Sequence, residues 1–275
     1  MTTAATIELR DVSVARGRTP VLHVAHLEFG PGVTSIVGPN GSGKSTLLHA
    51  IAGLLPTTGT LTVLGAAPTL VRPQVAYVLQ SQHASEHLLV TAREVVSLGR
   101  AARRGPFGRL RSSDRSAIQH AMQRLDVTSL GRKHLAEMSG GQRQRIFVAQ
   151  GLVQEADILL LDEPVAGLDI ASMQRIREVI AEEREAGRTI LVATHDLAEA
   201  AKSDHVVLLD KRVIAAGRPA EALSPPNLRA AYGGRVLDLG DGVVAVDDGV
   251  HHDDHEHHHH DDHHDGQPAT DSHRH

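Results

Sequence analysis

Short aliphatic segments alternate with helical segments along most of the chain. Residues 7–14 alternate roughly between apolar and polar positions, which is typical of a strand with one buried face. Residues 158–161 are instead continuously aliphatic, which predicts a strand covered on both faces, as in a parallel sheet. Further strands are predicted at residues 33–37, 75–80, 189–194 and 206–209.

Helical patterns fill the intervals between these strands. Leucines and isoleucine between residues 47 and 55 indicate a helix, and residues 171–185 place an apolar face at helical spacing. Thr91 followed three residues later by Glu94 predicts a capping box, which opens a helical region that continues intermittently to about Leu130. Strands that alternate with helices predict an α/β fold with a parallel sheet and crossover helices.

Six arginines fall inside the helical region that follows Thr91. We interpret them as a solvated loop, and the alternative is contact with a membrane subunit or with lipid headgroups. They are Arg100, Arg103, Arg104, Arg109, Arg111 and Arg115.

Composition narrows the class of protein. Of the 275 residues 41% are apolar and only 2% are aromatic, so the core is expected to be large and aliphatic. The absence of cysteine excludes disulfide bonds and thiolate metal ligands. We expect no secretory signal in residues 1–10 and no membrane-spanning helix, so a transport role would require separate membrane subunits.

The net charge of −5 is unevenly distributed. Residues 251–275 hold seven acids and one arginine, a net of −6, and the other 250 residues are close to neutral. Neither part carries the basic stripe expected for nucleic-acid binding, so no nucleic-acid partner is predicted.

A glycine-rich segment predicts a phosphate-binding loop. Residues Gly38 to Ser45 read GPNGSGKS and match the pattern GxxxxGK[ST]. Its glycines let successive backbone N–H groups turn inward around anionic oxygens at a helix N-terminus. We expect Lys44 to reach the outer phosphates and the Ser45 hydroxyl to ligate Mg²⁺. The predicted nucleotide-binding residues are Gly38, Pro39, Asn40, Gly41, Ser42, Gly43, Lys44, Ser45 and Thr46.

Two acids follow the aliphatic run 158–161 and suit the binding and hydrolysis of a nucleotide with Mg²⁺. Asp162 is placed to hold Mg²⁺ through its waters. Glu163 follows directly, where a carboxylate can orient or deprotonate an attacking water. Together with the phosphate loop, these acids predict hydrolysis of a nucleoside triphosphate.

Residues Met138-Ser139-Gly140-Gly141-Gln142 resemble the signature LSGGQ of ATP-binding cassette (ABC) ATPases, with methionine in place of leucine. Ser139 is expected to cap a helix whose N-terminus faces phosphate.

The other motifs of the ABC family stand in the family's order over residues 6 to about 225. Gln80 occupies the place of the Q-loop glutamine, Asp169 ends the D-loop segment Gly167-Leu168-Asp169, and His195 matches the switch histidine. The resemblance implies an ABC-type P-loop NTPase fold: a RecA-like parallel sheet core, an N-terminal antiparallel β-subdomain and a helical subdomain at about 83–137. It also implies a nucleotide-binding domain over 1–247, and we expect a disordered tail over 248–275.

The resemblance further implies a head-to-tail homodimer, although a related second ATPase could replace one copy. ATP and Mg²⁺ would lie between the P-loop of one subunit and the signature of its partner. Glu163, Gln80 and His195 would be catalytic, and Ser45, Gln80 and Asp162 would hold Mg²⁺. The remaining ATP contacts implied by the resemblance are Ser139, Gly140, Gly141, Gln142 and Asp169. Arg16 stands where the family usually has an aromatic residue, and its guanidinium can also stack on adenine.

Two segments of the sequence indicate which substance the transporter would carry, its cargo. Residues 95–100 and 230–234 resemble the ATPases of bacterial zinc and manganese importers. The implied partners are membrane-spanning permease subunits and, indirectly, an extracytoplasmic solute-binding protein, with this chain peripheral at the cytoplasmic face of the membrane. The alternatives are importers of iron-siderophore, haem, nickel or cobalt, and a non-transport ABC ATPase.

The tail mixes imidazoles with carboxylates, and 11 of the 20 histidines lie in residues 251–275. Neutral imidazole is a good ligand for Zn²⁺ and similar ions, so we favour metal buffering or sensing. A solvating tail without metal function and an expression tag are the alternatives. The candidate ligands for Zn²⁺ or another transition metal are His251, His252, His255, His257, His258, His259, His260, His263 and His264.

Overall fold

The computed structural model describes residues 6–17, 19–79, 89–104, 109–240 and 243–246. The strands of these residues are β1 (Ile7–Arg16), β2 (Thr19–Phe29), β3 (Gly32–Val37), β4 (Thr57–Val63), β5 (Val75–Val78), β6 (Ile158–Asp162), β7 (Thr189–Ala193), β8 (His205–Leu209), β9 (Val213–Gly217), β10 (Val236–Gly240) and β11 (Val243–Val246). The helices are α1 (Lys44–Ile51), α2 (Ala92–Arg104), α3 (Ser112–Arg124), α4 (Gly140–Leu152), α5 (Ile170–Glu185), α6 (Leu197–Ala200), α7 (Pro219–Ala222) and α8 (Pro225–Tyr232).

A six-stranded sheet with the order β5-β6-β7-β3-β8-β9 forms the centre of the fold. Its strands are parallel except for β9, which runs antiparallel to β8. Every residue of β6 is buried, as its continuous aliphatic pattern predicts. The carboxyl ends of β3, β6 and β7 meet at one edge, because Ile36 and Asp162 both pair with Ala193. This edge is where the predicted chemistry lies.

A second sheet, with the order β2-β1-β4, is antiparallel. It confirms the N-terminal antiparallel β-subdomain of the predicted fold class. Its inner face packs with α1 and the central sheet in one apolar core. The larger members of that core include Ile7, Leu9, Leu22, Phe29, Ile36, Leu47, Leu48 and Ile51.

Helices α2 to α5 contribute to a second core with the apolar side chains of β5, β6 and β7. Helix α2 begins with the predicted capping box: Thr91 N donates to Glu94 Oε2 at 2.8 Å and Glu94 N donates to Thr91 Oγ1 at 3.4 Å. Helices α2 and α4 pack closely at Gly99, where a Cβ would lie 2.3 Å from the Gln150 carbonyl oxygen. Both α2 and α3 fall within 83–137, and the boundaries of the domain, its helical subdomain and the tail stay predictions.

The interpretation of the arginine-rich stretch as a solvated loop is wrong for Arg100. Arg100 lies in α2 and is only 7% exposed, with its Nη1 2.8 Å from Glu155 Oε2 and its Nε 3.3 Å from Asp114 Oδ1. Two carboxylates from distant parts of the chain therefore compensate its buried charge. Arg103 and Arg104 also belong to α2 rather than to a loop. The side chains of Arg109, Arg111 and Arg115 are exposed.

Candidate active site

The phosphate loop connects β3 to α1 and depends on glycine for its shape. Gly38 has φ +153°, and a Cβ there would lie 2.1 Å from the Leu209 carbonyl oxygen of β8. Gly43 caps the N-terminus of α1 with φ +105°. Lys44 is buried, and its Nζ donates to the carbonyl oxygens of Gly38 at 2.7 Å and Pro39 at 3.3 Å. The loop thus positions the ammonium group at the predicted phosphate site.

A cavity of about 450 Å³ opens at this loop. Its size lies within the range of small-molecule sites. The lining residues are Val21, Asn40, Gly41, Ser42, Gly43, Lys44, Ser45, Thr46, His49, Tyr77, Leu79, Asp162 and Glu163. The structure therefore brings most of the predicted P-loop residues together with both predicted acids.

Asp162 ends β6 and is buried. Its Oδ2 accepts a hydrogen bond from the Tyr77 hydroxyl at 3.1 Å. Burial, then the negative charge of Asp162 and the hydrogen bond to it, raise the pKa of Tyr77 above its ordinary value of 10.0. The Tyr77 hydroxyl therefore stays protonated and remains a donor to the carboxylate.

Glu163 and His195 form a pair at the adjoining ends of β6 and β7. Glu163 Oε2 lies 2.9 Å from His195 Nδ1, and Glu163 N donates to the Ala193 carbonyl oxygen at 3.0 Å. Burial raises the pKa of Glu163, and the nearby His195 and Lys44 oppose this shift. A carboxylate with a raised pKa is a stronger base, which suits the role predicted for Glu163.

The backbone at Glu163 has φ +48°, which is in the left-handed region. A residue with a side chain adopts this conformation at a cost, and such residues cluster at functional sites.

The signature segment lies at the N-terminus of α4. Ser139 caps this helix as predicted: its Oγ accepts from Gln142 N and its N donates to Gln142 Oε1, both at 3.2 Å. Met138, which replaces the usual leucine, is buried in the second core. None of the described residues that line the cavity comes from the signature or from the D-loop, and Ser139 is exposed.

The D-loop residue Asp169 caps α5, with its Oδ1 accepting from Ser172 N at 2.8 Å. Hydrogen bonds from the Ser172 backbone and side chain lower the pKa of Asp169. Gly141 packs against this cap, and a Cβ on Gly141 would lie 2.4 Å from Asp169 Oδ2 and 2.5 Å from Ser172 Oγ. The signature and the D-loop of one chain are thus in direct contact.

Some predicted residues lie outside the described residues. These are Gln80 and the histidines of the tail, His251 to His264. Arg16 ends β1, and its side chain is not among those described.

Four residues that line the cavity were not predicted as site residues from the sequence: the polar Tyr77 and His49 and the apolar Val21 and Leu79. His49 Nε2 lies 2.9 Å from the Tyr77 hydroxyl oxygen. The only signal for Tyr77 is its place as one of two tyrosines, on a predicted strand three residues before Gln80.

The donor set fits Mg²⁺ bound with a nucleotide. Ser45 and Asp162 both line the cavity, and their side chains carry the oxygen ligands that this ion prefers. Over the described part of the chain, no three His, Asp or Glu side chains gather in a way that could hold a metal ion on their own.

Comparison with known proteins decides the family. The sequence model described as ABC transporter matches residues 22–166. The chain belongs to the ABC transporter family. It is an ATPase of that family, which confirms the predicted fold class and enzyme class. In the ranges that the structure describes, no helix of this ABC ATPase is long and apolar enough to cross a membrane.

Two curated relatives of the ABC ATPase are ATP-binding proteins of transport systems. It is 36% identical to the manganese transport system ATP-binding protein MntB of Bacillus subtilis, over 87% of this chain and 97% of that one. It is 37% identical to the zinc transport system ATP-binding protein TroB of Treponema pallidum, over 85% of this chain and 89% of that one. A solved ATP-binding subunit of an ABC transporter superposes with a TM-score of 0.69 at 25% identity, over 83% of this chain and 93% of that chain.

Proposed function

We propose that this ABC ATPase binds and hydrolyses ATP to power an importer of manganese or zinc. The observation that carries hydrolysis is the meeting of the P-loop, Asp162 and the Glu163–His195 pair at one edge of the sheet. The cargo is inferred from the two relatives named for manganese and zinc transport. The chain would act at the cytoplasmic face of the membrane, bound to permease subunits and fed indirectly by a solute-binding protein.

In this proposal the phosphate loop and Lys44 hold the phosphates, and Ser45 and Asp162 hold Mg²⁺, with Gln80 completing the site. When bound, Mg²⁺ supplies positive charge to the phosphate oxygens. Glu163 orients and deprotonates the attacking water, and His195 holds the Glu163 carboxylate in place.

We also propose that two nucleotide-binding domains act as a pair. Ser139 is exposed and does not line the P-loop cavity of its own chain, which supports a role toward the ATP of a partner subunit. Gly140, Gly141, Gln142 and Asp169 would share that role. The pair is a homodimer, unless a related ATPase replaces one copy.

Hydrolysis is tested by Glu163→Gln. Loss of the base should lower turnover by at least about 100-fold while ATP binding persists, as for other general bases. Glu185→Gln, at the exposed end of α5, is the matched control and should hydrolyse ATP at the wild-type rate. Wild-type turnover by the Glu163→Gln protein would contradict the proposed mechanism.

Cargo is tested in vesicles that contain the ATPase with its permease subunits and solute-binding protein. ATP-dependent accumulation of manganese or zinc is the expected result. Accumulation of haem, an iron chelate, nickel or cobalt instead would contradict the proposed cargo.

We further propose that the tail over 248–275 senses cytoplasmic metal and restrains import when metal binds its histidines. Deletion of residues 251–275 should leave basal ATPase activity intact and remove its inhibition by added Zn²⁺. Identical Zn²⁺ sensitivity in the truncated and full-length proteins would contradict this role.

A further inference from the structure

Three polar side chains from three different elements are joined beside the P-loop. Tyr77 of β5 donates its hydroxyl hydrogen to Asp162 Oδ2 of β6 at 3.1 Å. The same hydroxyl oxygen lies 2.9 Å from Nε2 of His49 on α1. The rings of His49 and Tyr77 also meet edge to face, with centroids 5.2 Å apart and planes at 75°. All three side chains line the cavity.

The chemistry of the groups fixes the direction of the two hydrogen bonds. An ionised carboxylate can only accept, so the single Tyr77 hydroxyl hydrogen points to Asp162. The Tyr77 oxygen then accepts a hydrogen from His49 Nε2, which requires the proton of this imidazole on Nε2. The hydrogen bonds therefore run in series, with His49 donating to Tyr77 and Tyr77 donating to Asp162.

These hydrogen bonds connect the two elements that carry predicted Mg²⁺ ligands, α1 and β6. Ser45 and His49 are four residues apart on α1, so they lie on the same face of that helix. Ser45 lines the cavity, and His49 is joined to Asp162 through Tyr77. Helix α1, which carries Ser45, and strand β6, which carries Asp162, are thus linked through the hydrogen bonds of His49 and Tyr77.

We infer that His49 and Tyr77 are positioning residues that orient the Asp162 carboxylate for the Mg²⁺ that accompanies ATP. This inference rests on the proposed function, in which Asp162 holds Mg²⁺ through its waters. With Oδ2 engaged by Tyr77, the carboxylate cannot rotate freely, and Oδ1 keeps one direction in the cavity. Outer partners of this kind typically tune metal affinity by about 10–100-fold.

The test compares Mg²⁺ binding with nucleotide binding in the full chain. Tyr77→Phe removes only the hydroxyl, and His49→Leu removes the donor at a similar volume. Tyr232→Phe, at the other tyrosine on α8, is the matched control. Binding of a fluorescent ATP analogue is measured without Mg²⁺ and then across an Mg²⁺ titration, together with the melting temperature.

The expected result is a rise of about 10-fold in the Mg²⁺ concentration for half-saturation in Tyr77→Phe and His49→Leu. Nucleotide binding without Mg²⁺ and the Tyr232→Phe control should match the wild type. His49→Gln retains a side-chain N–H donor and should recover part of the loss. If Tyr77→Phe fails to fold, the comparison of His49→Leu with His49→Gln decides the same question.

Two results would overturn the inference. One is an unchanged Mg²⁺ requirement in Tyr77→Phe, and the other is an equal loss of binding with and without Mg²⁺, which would indicate a merely structural contact. Asp162→Asn separates this failure from that of the proposed function. If Asp162→Asn raises the Mg²⁺ concentration for half-saturation and Tyr77→Phe does not, only the inference fails. If Asp162→Asn behaves as wild type, the proposed Mg²⁺ site fails as well.

Discussion

Gly141 lies where α4 meets the N-terminus of α5, and a single added methyl group there should be costly. A Cβ would lie 2.4 Å from Asp169 Oδ2, 2.5 Å from Ser172 Oγ and 2.9 Å from Ser172 Cβ. These atoms cannot yield independently, because Ser172 donates its N and its Oγ to Asp169, each at 2.8 Å. Gly141→Ala therefore has to disturb the cap of α5.

The steric clash and the disturbed helix cap both lower the free energy of unfolding of Gly141→Ala. Overpacking of this kind costs about 1–3 kcal/mol, and loss of a helix cap costs about 1 kcal/mol. We expect the free energy of unfolding to fall by about 2–4 kcal/mol. In a chain of this size each kcal/mol lowers the melting temperature by about 2–4 °C, so the expected fall is about 4–16 °C.

The neighbouring glycine provides the matched control. A Cβ on Gly140 would meet no atom within 4 Å, and Gly140 is the first residue of α4. Gly140→Ala should therefore stabilise the fold by about 0.4–1 kcal/mol, since it restricts the unfolded chain. Thermal unfolding of both nucleotide-free variants, followed by circular dichroism, is the assay. Equal melting temperatures for the two variants would refute the reasoning.

Two other substitutions remove a buried charged group and should change the stability of the fold. Burial raises the pKa of Glu163 in the fold, so the charged form destabilises the protein as pH rises above the ordinary value of 4.5. Glu163→Gln should melt higher than wild type at neutral pH, and the difference should shrink as pH falls toward 4.5; a pH-independent difference would contradict this. Arg100→Met removes one partner of a buried ion pair with Asp114 and should cost about 3–5 kcal/mol in urea denaturation. Arg115→Met, at an exposed arginine, should change the free energy of unfolding by less than about 0.5 kcal/mol. Equal losses of stability in the two variants would contradict a stabilising role of the buried ion pair of Arg100.

The sequence predicts best what depends on near neighbours in the chain. The spacing of Gly38, Gly43 and Lys44 is sufficient for the phosphate loop, because the backbone shape follows from the glycines themselves. The caps by Thr91 and Ser139 were equally predictable, since each involves a partner only three residues away.

Contacts between distant residues were not predictable in the same way. Tyr77 and Asp162 are 85 positions apart, and Arg100 finds a partner 55 positions away. Strand β2 was missed for a different reason. Its buried residues alternate up to Val24, but the alternation breaks before the next buried residue, Leu27, so no continuous two-residue period marks the strand.

At position 163 stability and activity favour different residues, because the left-handed backbone favours glycine and hydrolysis requires the glutamate. That conformation costs a residue with a side chain about 1–2 kcal/mol, and glycine adopts it without this cost. A library of variants selected only for thermal stability should therefore enrich glycine at position 163 and lose hydrolysis in the same step. Glutamate would persist there only under selection for turnover, which makes this position a marker of whether laboratory evolution has preserved the ATPase.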